Sequence, residues 1–419
     1  EKNMKIAIVG TGISGLVAAY LLADEHELTV FESGDYVGGH TNTLDVSIGG
    51  QPYSVDTGFI VYNERNYPNF TRLLRILEVE TQPSNMSFSV RCEDTGLEYS
   101  GTSINSLFAQ RRNVLRPGFW RMILGIRRFY REATELLEST DSSVTLGEYL
   151  RQRGYPREFL DWHLGPMGSA IWSTGCGKMQ EFPARLFVEF FKNHGFLQVS
   201  DRPPWRVIKG GSRSYVEAIT QKFRGRIRLN CPVNSVKRTG DAVQIKTEES
   251  LETFDKVIIA THSDQALSLL VDPAASEKEI LGAIQYQPNE TVLHTDESLL
   301  PRRKLARASW NYHLAKDSSQ PDHPSVTYYM NMLQSIDSEA HFCVTLNKSQ
   351  SIEPSKVLAR LVYDHPVFTA ETIAAQERRG EINGVNHTYF CGAYWGNGFH
   401  EDGVNSALEV AKHFGKGLK

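Results

Sequence analysis

The sequence of 419 residues lacks the features of disulfide-bonded or zinc-binding proteins, of proteins with membrane-spanning helices, and of strongly basic nucleic-acid-binding proteins. Its five cysteines are odd in number and form no C-x-x-C pair, so we expect neither a disulfide framework nor a zinc site, and no metal is predicted. No apolar run approaches the roughly 18 residues that a membrane-spanning helix needs. Lys and Arg number 45 against 49 Asp and Glu, and this net charge of −4 excludes a general basic surplus for nucleic acid.

The composition is that of a globular protein. Hydrophobic residues make up 40% and charged residues 22% of the chain, which excludes wholesale disorder. The length predicts two or three structural units. The first residues lead directly into a strand pattern without a signal peptide, so we expect a cytoplasmic protein.

A glycine-rich loop lies between a short strand and a helix near the N-terminus. Residues 5–9 are apolar and β-branched, which predicts a buried parallel strand. The loop at 10–15 reads G-x-G-x-x-G, and residues 16–23 favour a helix packed on a sheet. A second strand, at 28–31, ends at Glu32, which is 22 residues after Gly10. This order of elements is the fingerprint of dinucleotide binding.

Each part of this fingerprint has a mechanical reason. Gly10 permits the tight turn, Gly12 lets the backbone approach a pyrophosphate, and Gly15 lets the helix lie close to the strand. The helix N-terminus offers free N–H groups and the positive end of its dipole to the phosphates. An acid at the end of the second strand can accept hydrogen bonds from ribose hydroxyls. The predicted dinucleotide contacts are Gly10, Gly12, Ile13, Ser14, Gly15, Glu32 and Ser33.

Two further segments favour flavin over nicotinamide. A Gly-Gly-His triplet occupies residues 38–40, and a strand at 53–59 contains Asp-Thr-Gly at 56–58. Here the sequence resembles the flavin amine oxidase superfamily, whose members share E-x5-G-G-[RH] and a following D-x-G. The resemblance implies that the Gly-Gly segment lies along the pyrophosphate and ribityl chain of non-covalent FAD, and that the D-x-G turn abuts the flavin ring. His40 stands where the family more commonly has Arg. The implied FAD contacts are Gly38, Gly39, His40, Thr41, Gly58, Phe59 and Ile60.

The C-terminal part of the chain completes the predicted site. The pattern predicts a strand at 388–395, a loop at 396–403 and a helix from Val404. In the superfamily such a helix N-terminus faces the N1–C2 edge of the ring, where its dipole stabilises the negative charge that gathers on reduction. The resemblance adds Trp395, Asp402, Gly403 and Val404 to the FAD contacts, and Val233 through a backbone contact to adenine.

His400 and Glu401 are the candidate catalytic residues. Alignment of Asp402-Gly403 with the Glu-Gly of amine oxidases puts His400 where one ring of their aromatic cage stands. Histidine titrates near neutral pH and a neighbouring carboxylate can exchange protons, so both side chains can handle protons. The alternative is that both residues only order the flavin loop.

The resemblance also implies the fold and its division. We expect an α/β protein with a Rossmann-like FAD-binding domain of the glutathione-reductase or amine-oxidase type, interleaved with an α+β substrate domain. The FAD-binding domain is predicted to comprise residues 1–80, 205–285 and 385–419. The substrate domain comprises 81–204, with a helical insert, and 286–384. Alternating, aromatic-rich runs between 292 and 347 predict an antiparallel sheet in that second part.

A stretch with many arginines and no acid lies in the first insert. Seven arginines fall between positions 111 and 131, and no Asp or Glu occurs from 101 to 131. Apolar side chains recur at helical spacing at positions 119, 122, 123, 126, 130, 133 and 137. One interpretation is a core helix with a solvated arginine face. The other is a basic amphipathic helix through which residues 111–131 contact the inner face of a membrane.

A narrower resemblance bears on the substrate. Six segments are similar together to the flavin-oxidase-like N-terminal domain of plant cyclopropane fatty acid synthases and to bacterial flavoproteins that accompany fatty-acyl methyltransferases: residues 38–40, 56–63, 67–69, 86–90, 106–110 and 400–403. This implies an FAD-dependent oxidoreductase that oxidises or desaturates a fatty acyl or lipid substrate, with a methyltransferase as a possible partner. Three alternatives stay open: an amine oxidase, a redox-neutral double-bond isomerase, and a flavin-bearing scaffold that presents lipid to a methyltransferase.

The first prediction concerns how the flavin is held. The purified protein should be yellow and should release FAD on acid precipitation, because Cys391 lies inside the strand before the flavin loop and not at a flavin-linkage position. The absorbance of the supernatant and of the redissolved pellet measures this. Flavin that stays with the polypeptide would contradict it.

Overall fold

The structure is a computed structural model that describes residues 3–138, 143–198, 202–314 and 323–418. Within these ranges the strands, in chain order, are β1 (Lys5–Val9), β2 (Glu27–Phe31), β3 (Thr43–Ile48), β4 (Gln51–Asp56), β5 (Val61–Asn63), β6 (Thr81–Pro83), β7 (Phe88–Cys92), β8 (Leu97–Ser100), β9 (Trp205–Ile208), β10 (Ile227–Arg228), β11 (Ser235–Thr239), β12 (Ala242–Lys246), β13 (Leu251–Phe254), β14 (Lys256–Ile259), β15 (Gln285–His294), β16 (Trp310–Leu314), β17 (Val326–Tyr329), β18 (Cys343–Leu346), β19 (Val357–Val367) and β20 (Thr388–Phe390).

The α-helices of the same ranges vary from single turns to sixteen residues. In chain order they are α1 (Ile13–Leu22), α2 (Pro68–Ile76), α3 (Ile104–Leu107), α4 (Pro117–Glu132), α5 (Leu146–Gln152), α6 (Arg157–Phe159), α7 (Gly165–Trp172), α8 (Cys176–Met179), α9 (Ala184–Asn193), α10 (Arg213–Thr220), α11 (Ser263–Leu269), α12 (Ala275–Gly282), α13 (Met330–Leu333), α14 (Ala370–Glu377) and α15 (His400–Lys412). No helix of the described ranges combines the length and the apolar character needed to cross a bilayer.

One sheet has five parallel strands in the order β10-β2-β1-β14-β20. Residues 6–9 of β1 and 257–259 of β14 are apolar and buried because both faces of the sheet are covered. Helices α1, α10 and α15 pack on one face, and the small sheet β11-β12-β13 with α11 and α12 packs on the other. The predicted Rossmann-like α/β class is confirmed. The strands come from three separate stretches of chain, and the domain boundaries given above stay a prediction.

A second sheet has seven strands in the order β19-β15-β18-β17-β16-β7-β8. Its pairs are antiparallel except that β7 lies parallel to β16. The runs between 292 and 347 pair antiparallel as expected, in β15, β18, β17 and β16, and β7 and β8 of the first insert extend the sheet beyond them. The register pairs Ser89 with Asn311, and a buried hydrogen bond of 2.7 Å joins their side chains, so strands from both inserts form one sheet.

Helix α4 contains the end of the arginine-rich stretch, whereas Arg111–Leu115 forms a 3-10 turn. Phe119 and Met122 are fully buried and belong to the same apolar cluster as Val90 and Tyr312 of the seven-stranded sheet. Three of the seven arginines, 121, 128 and 131, pair with Glu158 or Glu132. The helix is thus a core helix along one face, and the predicted membrane contact is a separate question about its exposed face.

The C-terminal segment differs from its predicted bounds. Strand β20 ends at Phe390, a 3-10 turn covers Ala393–Trp395, and α15 begins at His400 and not at Val404. The helix begins early because the Asp402 carboxylate accepts the backbone N–H of Phe399 at 2.9 Å and of Asn397 at 3.0 Å. This capping interaction places the residues predicted as loop, 400–403, on the first helical turn.

Candidate functional site

The candidate site lies at the carboxyl edge of the five-stranded parallel sheet, where ligands of such sheets bind. The loop after β1 turns at Gly10, whose φ of +102° suits glycine. A Cβ on Gly15 would overlap the carbonyl oxygen of Gly10, so only glycine lets α1 approach the strand this closely. The predicted mechanical roles of both glycines agree with this packing.

The N-terminus of α1 provides room for a ligand. Gly12 is the residue before the helix and has no side-chain cap, and the first turn contains no acid. A Cβ built on Gly12 would meet no atom within 4 Å. The first N–H groups of a helix have no partner within the helix. Backbone donors, open space and a positive dipole end fit a pyrophosphate.

Glu32 lies beside this loop at the end of β2. One carboxylate oxygen accepts the N–H and the hydroxyl of Thr11, and the other accepts the N–H of Gly34 at 2.8 Å. The chain after β10 crosses the same end of β2, where the Cys231 N–H donates to the Glu32 carbonyl at 2.8 Å. Val233 is half-buried in that crossing segment. The structure thus brings Glu32, Ser33 and Val233, the residues predicted for the adenosine end, to one place.

The Gly-Gly-His and D-x-G segments lie together next to Gly12. A Cβ on Gly39 would come within 3.1 Å of the Gly12 Cα, and the Phe59 N–H donates to the His40 carbonyl at 2.8 Å. A Cβ on Gly58 would overlap the same carbonyl oxygen. These contacts hold the flavin-lining residues predicted at 38–41 and 58–60 on one side of the glycine loop.

Asp56 of the D-x-G segment is fully buried. The sequence motif contains this residue, but no role was predicted for it. Its carboxylate accepts the Thr43 hydroxyl at 2.6 Å, the Ser212 N–H at 2.9 Å and the Ser212 hydroxyl at 2.7 Å. Burial raises the pKa of this carboxyl to about 6, against the hydrogen bonds that lower it. Since Ser212 precedes α10, Asp56 ties the flavin-lining turn to that helix.

The N-terminus of α15 packs directly on the N-terminus of α1. A Cβ on Gly403 would overlap Ile13 and approach the Ser14 hydroxyl to 3.1 Å, and Val404 is fully buried. Burial raises the pKa of Asp402 to about 6, and its capping bonds oppose the shift. Trp395 lies on the preceding turn, where its ring N–H donates to the Phe390 carbonyl at 3.1 Å. The two positive helix ends therefore face the same region.

Comparison with known proteins decides the family. Residues 13–330 match the model of the family described as flavin containing amine oxidoreductase. The chain belongs to this family. The predicted membership of the flavin amine oxidase superfamily is confirmed, as is the prediction of FAD as the cofactor. The glycine loop, Glu32 and the open space at Gly12 fit that group.

Individual relatives are distant. The chain is 23% identical over 457 residues to a tryptophan 2-monooxygenase of Allorhizobium ampelinum, and the match covers 95% of this chain and 61% of that protein. Two solved structures share the fold over 99% of this chain: a fatty acid isomerase from P. acnes that produces CLA, with a TM-score of 0.70, 15% identity and 99% coverage, and a cyclohexylamine oxidase from Brevibacterium oxydans, with a TM-score of 0.68, 14% identity and 100% coverage. The chain thus spans about three fifths of its first curated relative.

The candidate catalytic residues, His400 and Glu401, have structural partners. The His400 ring stacks on Phe59 at 3.6 Å, and its Nε2 lies 2.8 Å from the Tyr215 hydroxyl. Burial lowers the pKa of His400 to about 3, so the ring is neutral at physiological pH. The Glu401 carboxylate accepts two backbone N–H groups, at 3.0 and 2.8 Å, from residues 69 and 70 at the start of α2. The catalytic role stays a prediction, and these contacts favour the alternative that both residues order the site.

A cluster of three histidines escaped the sequence analysis. The rings of His262 and His365 lie 5.9 and 5.5 Å from the ring of His40. His262 also stacks on Tyr286 at 4.4 Å, and Tyr363 lies 5.1 Å from His40. Burial lowers the pKa of His40 to about 4 and of His365 to about 3. His262 could have been found, because it follows β14 at the carboxyl edge, whereas His365 comes from the distant strand β19.

Cys391 is the cysteine nearest to the flavin loop. It is fully buried between β20 and α15, and burial raises the pKa of its thiol to about 12. A neutral, inaccessible thiol is a poor nucleophile. This environment agrees with non-covalent FAD, which stays a prediction.

Two glycine substitutions separate packing from cofactor binding. Gly12→Ala should leave the stability of the FAD-free protein within about 0.5 kcal/mol, because its φ of −64° and the open space tolerate a methyl group. It should nevertheless weaken FAD binding by filling the pyrophosphate space. Gly15→Ala should destabilise the FAD-free protein by roughly 1–3 kcal/mol through overpacking. Urea unfolding of the stripped proteins and flavin titration measure both effects. Equal losses of stability, or full FAD affinity in Gly12→Ala, would show the assignment to be wrong.

The buried His400 should make stability depend on pH. The unfolded chain binds a proton near pH 6.5 and the folded chain only near pH 3, so stability is complete above pH 6.5 and falls below it by about 1.4 kcal/mol per pH unit for this residue. Asp56 and Asp402, whose pKa values are raised to about 6, contribute with the opposite sign between pH 6 and 4. The informative quantity is therefore the difference between the parent and His400→Gln in how the free energy of unfolding changes with pH. The variant should lose the part of this slope that one buried histidine contributes.

The matched control is His413→Gln at an exposed position. Urea unfolding from pH 7 to 4.5 should give the parental slope for this control. A His400→Gln slope equal to that of the parent would mean that His400 is protonated in the folded protein.

Proposed function

We propose that this member of the flavin containing amine oxidoreductase family oxidises or desaturates the acyl chain of a fatty acid or lipid. The observation that carries the proposal is the apolar, aromatic surrounding of the segment that leads into α15. Phe399 stacks on Phe190 at 5.1 Å, and Gly398 packs against Phe368 and Pro366. The narrower resemblance to the flavin domain of cyclopropane fatty acid synthases supports the same substrate class. A fold that also carries a fatty acid isomerase is compatible with acyl chemistry.

The charges near this segment do not favour a cationic substrate. Glu401 and Asp402 are the acids of the α15 N-terminus, and both carboxylates accept backbone N–H groups. The alignment of Asp402-Gly403 puts His400 where one ring of the amine oxidase cage stands, and here His400 stacks on Phe59 and hydrogen-bonds Tyr215. An apolar acyl chain needs neither a carboxylate nor a cage and gains from the aromatic walls.

Different parts of the chain would have different roles in this reaction. The glycine loop and Glu32 would hold the nucleotide part of FAD, and the α15 N-terminus would stabilise the negative charge that forms on the ring. When bound, FAD would supply the two-electron oxidant for each new carbon–carbon double bond, with one hydrogen of the acyl chain leaving as a hydride to the flavin and the other as a proton to a base. Phe399 and Phe190 would orient the acyl chain and exclude water.

A redox-neutral isomerase is the second candidate, because the P. acnes fatty acid isomerase shares the fold. It would use the same site and return the hydride to a different carbon of the same chain. We also propose a fatty-acyl methyltransferase as a partner that modifies the same acyl chains, on the strength of the narrower resemblance alone.

Anaerobic mixing tests the proposal. The holoprotein is mixed in detergent with phosphatidylglycerol bearing monounsaturated or cyclopropane acyl chains, and separately with cyclohexylamine and L-tryptophan. Acyl lipid should bleach the flavin and gain one double bond, measured by mass spectrometry, for each flavin reduced. Bleaching by an amine alone would favour the amine oxidase. A shifted double bond without bleaching would favour the isomerase, and no change in flavin or lipid would favour the scaffold.

A pair of variants tests the aromatic wall. Phe399→Ala should retain FAD but slow bleaching by acyl lipid about tenfold or more, since contacts of a buried Phe contribute about 1.5–3 kcal/mol. Phe196→Ala removes a ring of the same cluster, 6.4 Å from Phe190, without touching the α15 N-terminus, and should bleach at the parental rate. Equal rates in both variants would remove Phe399 from the substrate site.

A further inference from the structure

Exposed apolar side chains concentrate on one part of the surface. Thirteen large apolar side chains of the described residues are exposed, and five of them fall between positions 104 and 124. Ile104 on α3 and Leu115 on the 3-10 turn are the most exposed of the thirteen, at 80% and 85%. The others are Val114, Trp120 and Leu124. Such clustering marks an interaction site rather than the scattered exposure of an ordinary surface.

These side chains belong to one surface because short contacts join their elements. The Trp120 ring N–H donates to the Val114 carbonyl at 2.8 Å, which ties α4 to the 3-10 turn. The Arg111 guanidinium donates to the Asn105 side chain at 2.6 Å, which ties the same turn to α3. Leu124 lies one helical turn after Trp120 and therefore on the same face of α4.

A second chain segment extends this surface, and nothing in the sequence placed it there. The 3-10 turn Lys304–Ala306 contacts both α3 and β8. The buried Glu98 carboxylate fixes it by accepting the backbone N–H groups of Arg302 at 3.1 Å and Arg303 at 3.0 Å. This leaves the side chains of Arg302, Arg303, Lys304 and the half-exposed Leu305 on the outside.

The charge of the surface is strongly positive. Arg112 and Arg116 donate to the backbone carbonyls of residues 96 and 95, so no carboxylate offsets their charge in these bonds. Within the described parts of the chain, Arg127 and the basic side chains at 302–304 have no ion-pair partner. The acids beside this surface are mostly paired: Glu158 with Arg121, Glu93 with Lys348, and Glu297, which lines one cavity with Arg302, with Arg307. Asp94 lies in the β7–β8 turn.

We infer that this surface docks on an anionic lipid bilayer. The docking surface comprises the exposed apolar side chains Ile104, Val114, Leu115, Trp120, Leu124 and Leu305 together with the basic side chains at 111, 112, 116, 127 and 302–304. Aliphatic side chains that project from short helical turns can enter the headgroup region, and Trp suits the interface. The surrounding arginines attract anionic headgroups. The docking surface does not depend on the proposed reaction.

Sedimentation of the holoprotein with vesicles tests the docking surface. Vesicles of phosphatidylglycerol and phosphatidylcholine should bind the protein at low salt and release it at high salt, because charge attraction decays within about 8–10 Å at physiological ionic strength. Vesicles of phosphatidylcholine alone should bind far less. Failure of the parent protein to sediment with the anionic vesicles at low salt would overturn the inference.

Two variants divide the surface into its parts. A charge variant changes Arg127, Arg302, Arg303 and Lys304 to Gln, and should weaken binding by roughly a hundredfold or more. An apolar variant changes Ile104 and Leu115 to Ser, at positions too exposed to affect folding, and should weaken binding about tenfold or more. Flavin content and the unfolding midpoint should stay parental in both.

Matched controls lie elsewhere on the chain. The charge control changes four exposed lysines to Gln (192, 237, 246 and 278), and the apolar control changes Leu251 and Val362, each 64% exposed, to Ser. Both controls should bind vesicles as the parent does. Parental binding by the docking-surface variants, or equal losses in the controls, would overturn the inference.

The reaction and the docking can fail separately. Turnover of detergent-dispersed lipid should be the same in the docking-surface variants and the parent, whereas turnover of lipid in vesicles should fall. Absence of any acyl turnover with intact vesicle binding would reject the proposed reaction and leave the docking surface. Turnover in detergent without vesicle binding would reject the docking surface and leave the proposed reaction.

Discussion

The close approach of two helix N-termini at one sheet edge is the constraint on which the candidate site depends. Gly15 lies against the carbonyl of Gly10, and Gly403 lies against Ile13, each with no room for a side chain. Any larger residue would separate α1 and α15 from each other or from β1. Because the helices meet here, both positive dipole ends would serve one bound FAD: one would stabilise its pyrophosphate and the other its electron-rich ring. The two acids of the α15 first turn are engaged in capping: Glu401 accepts a backbone N–H of α2, and Asp402 accepts the Phe399 N–H before α15.

The balance of charge follows from the same arrangement. In the superfamily that the chain resembles, residue 40 is more commonly Arg, whereas here burial lowers the pKa of His40 to about 4 and leaves the ring neutral. His365 beside it is neutral for the same reason. In the protein without ligand, residue 40 therefore carries no full positive charge near neutral pH. The helix ends and the backbone N–H groups remain as attractive elements for a pyrophosphate in the space at Gly12.

Local patterns predicted the parts of the site that depend on near neighbours in the chain. The glycine spacing, the strand at 5–9 and the acid at Glu32 interact over about 20 residues, so their arrangement follows from turn and helix geometry. The start of α15 was missed because its N-cap residue is Phe399, and phenylalanine is rarely found at an N-cap. The hydrogen bond that fixes this end of the helix is accepted by the Asp402 carboxylate from the Phe399 N–H. His40 bonds a carbonyl 324 residues away, and no periodicity reports such a contact.

The seven-stranded sheet relates the proposed docking surface to the histidine cluster. The turn at 304–306 packs on β8 at one edge, and Tyr363 and His365 belong to β19 at the other. Six strand spacings separate these edges, or about 29 Å. A protein that docked on a bilayer through the β8 edge would hold the β19 edge, with the histidine cluster, at about this distance along the sheet. Under the proposed function, a bilayer lipid would then have to leave its neighbours and move along the sheet to reach the candidate cofactor site, and the sheet would act as a rigid spacer.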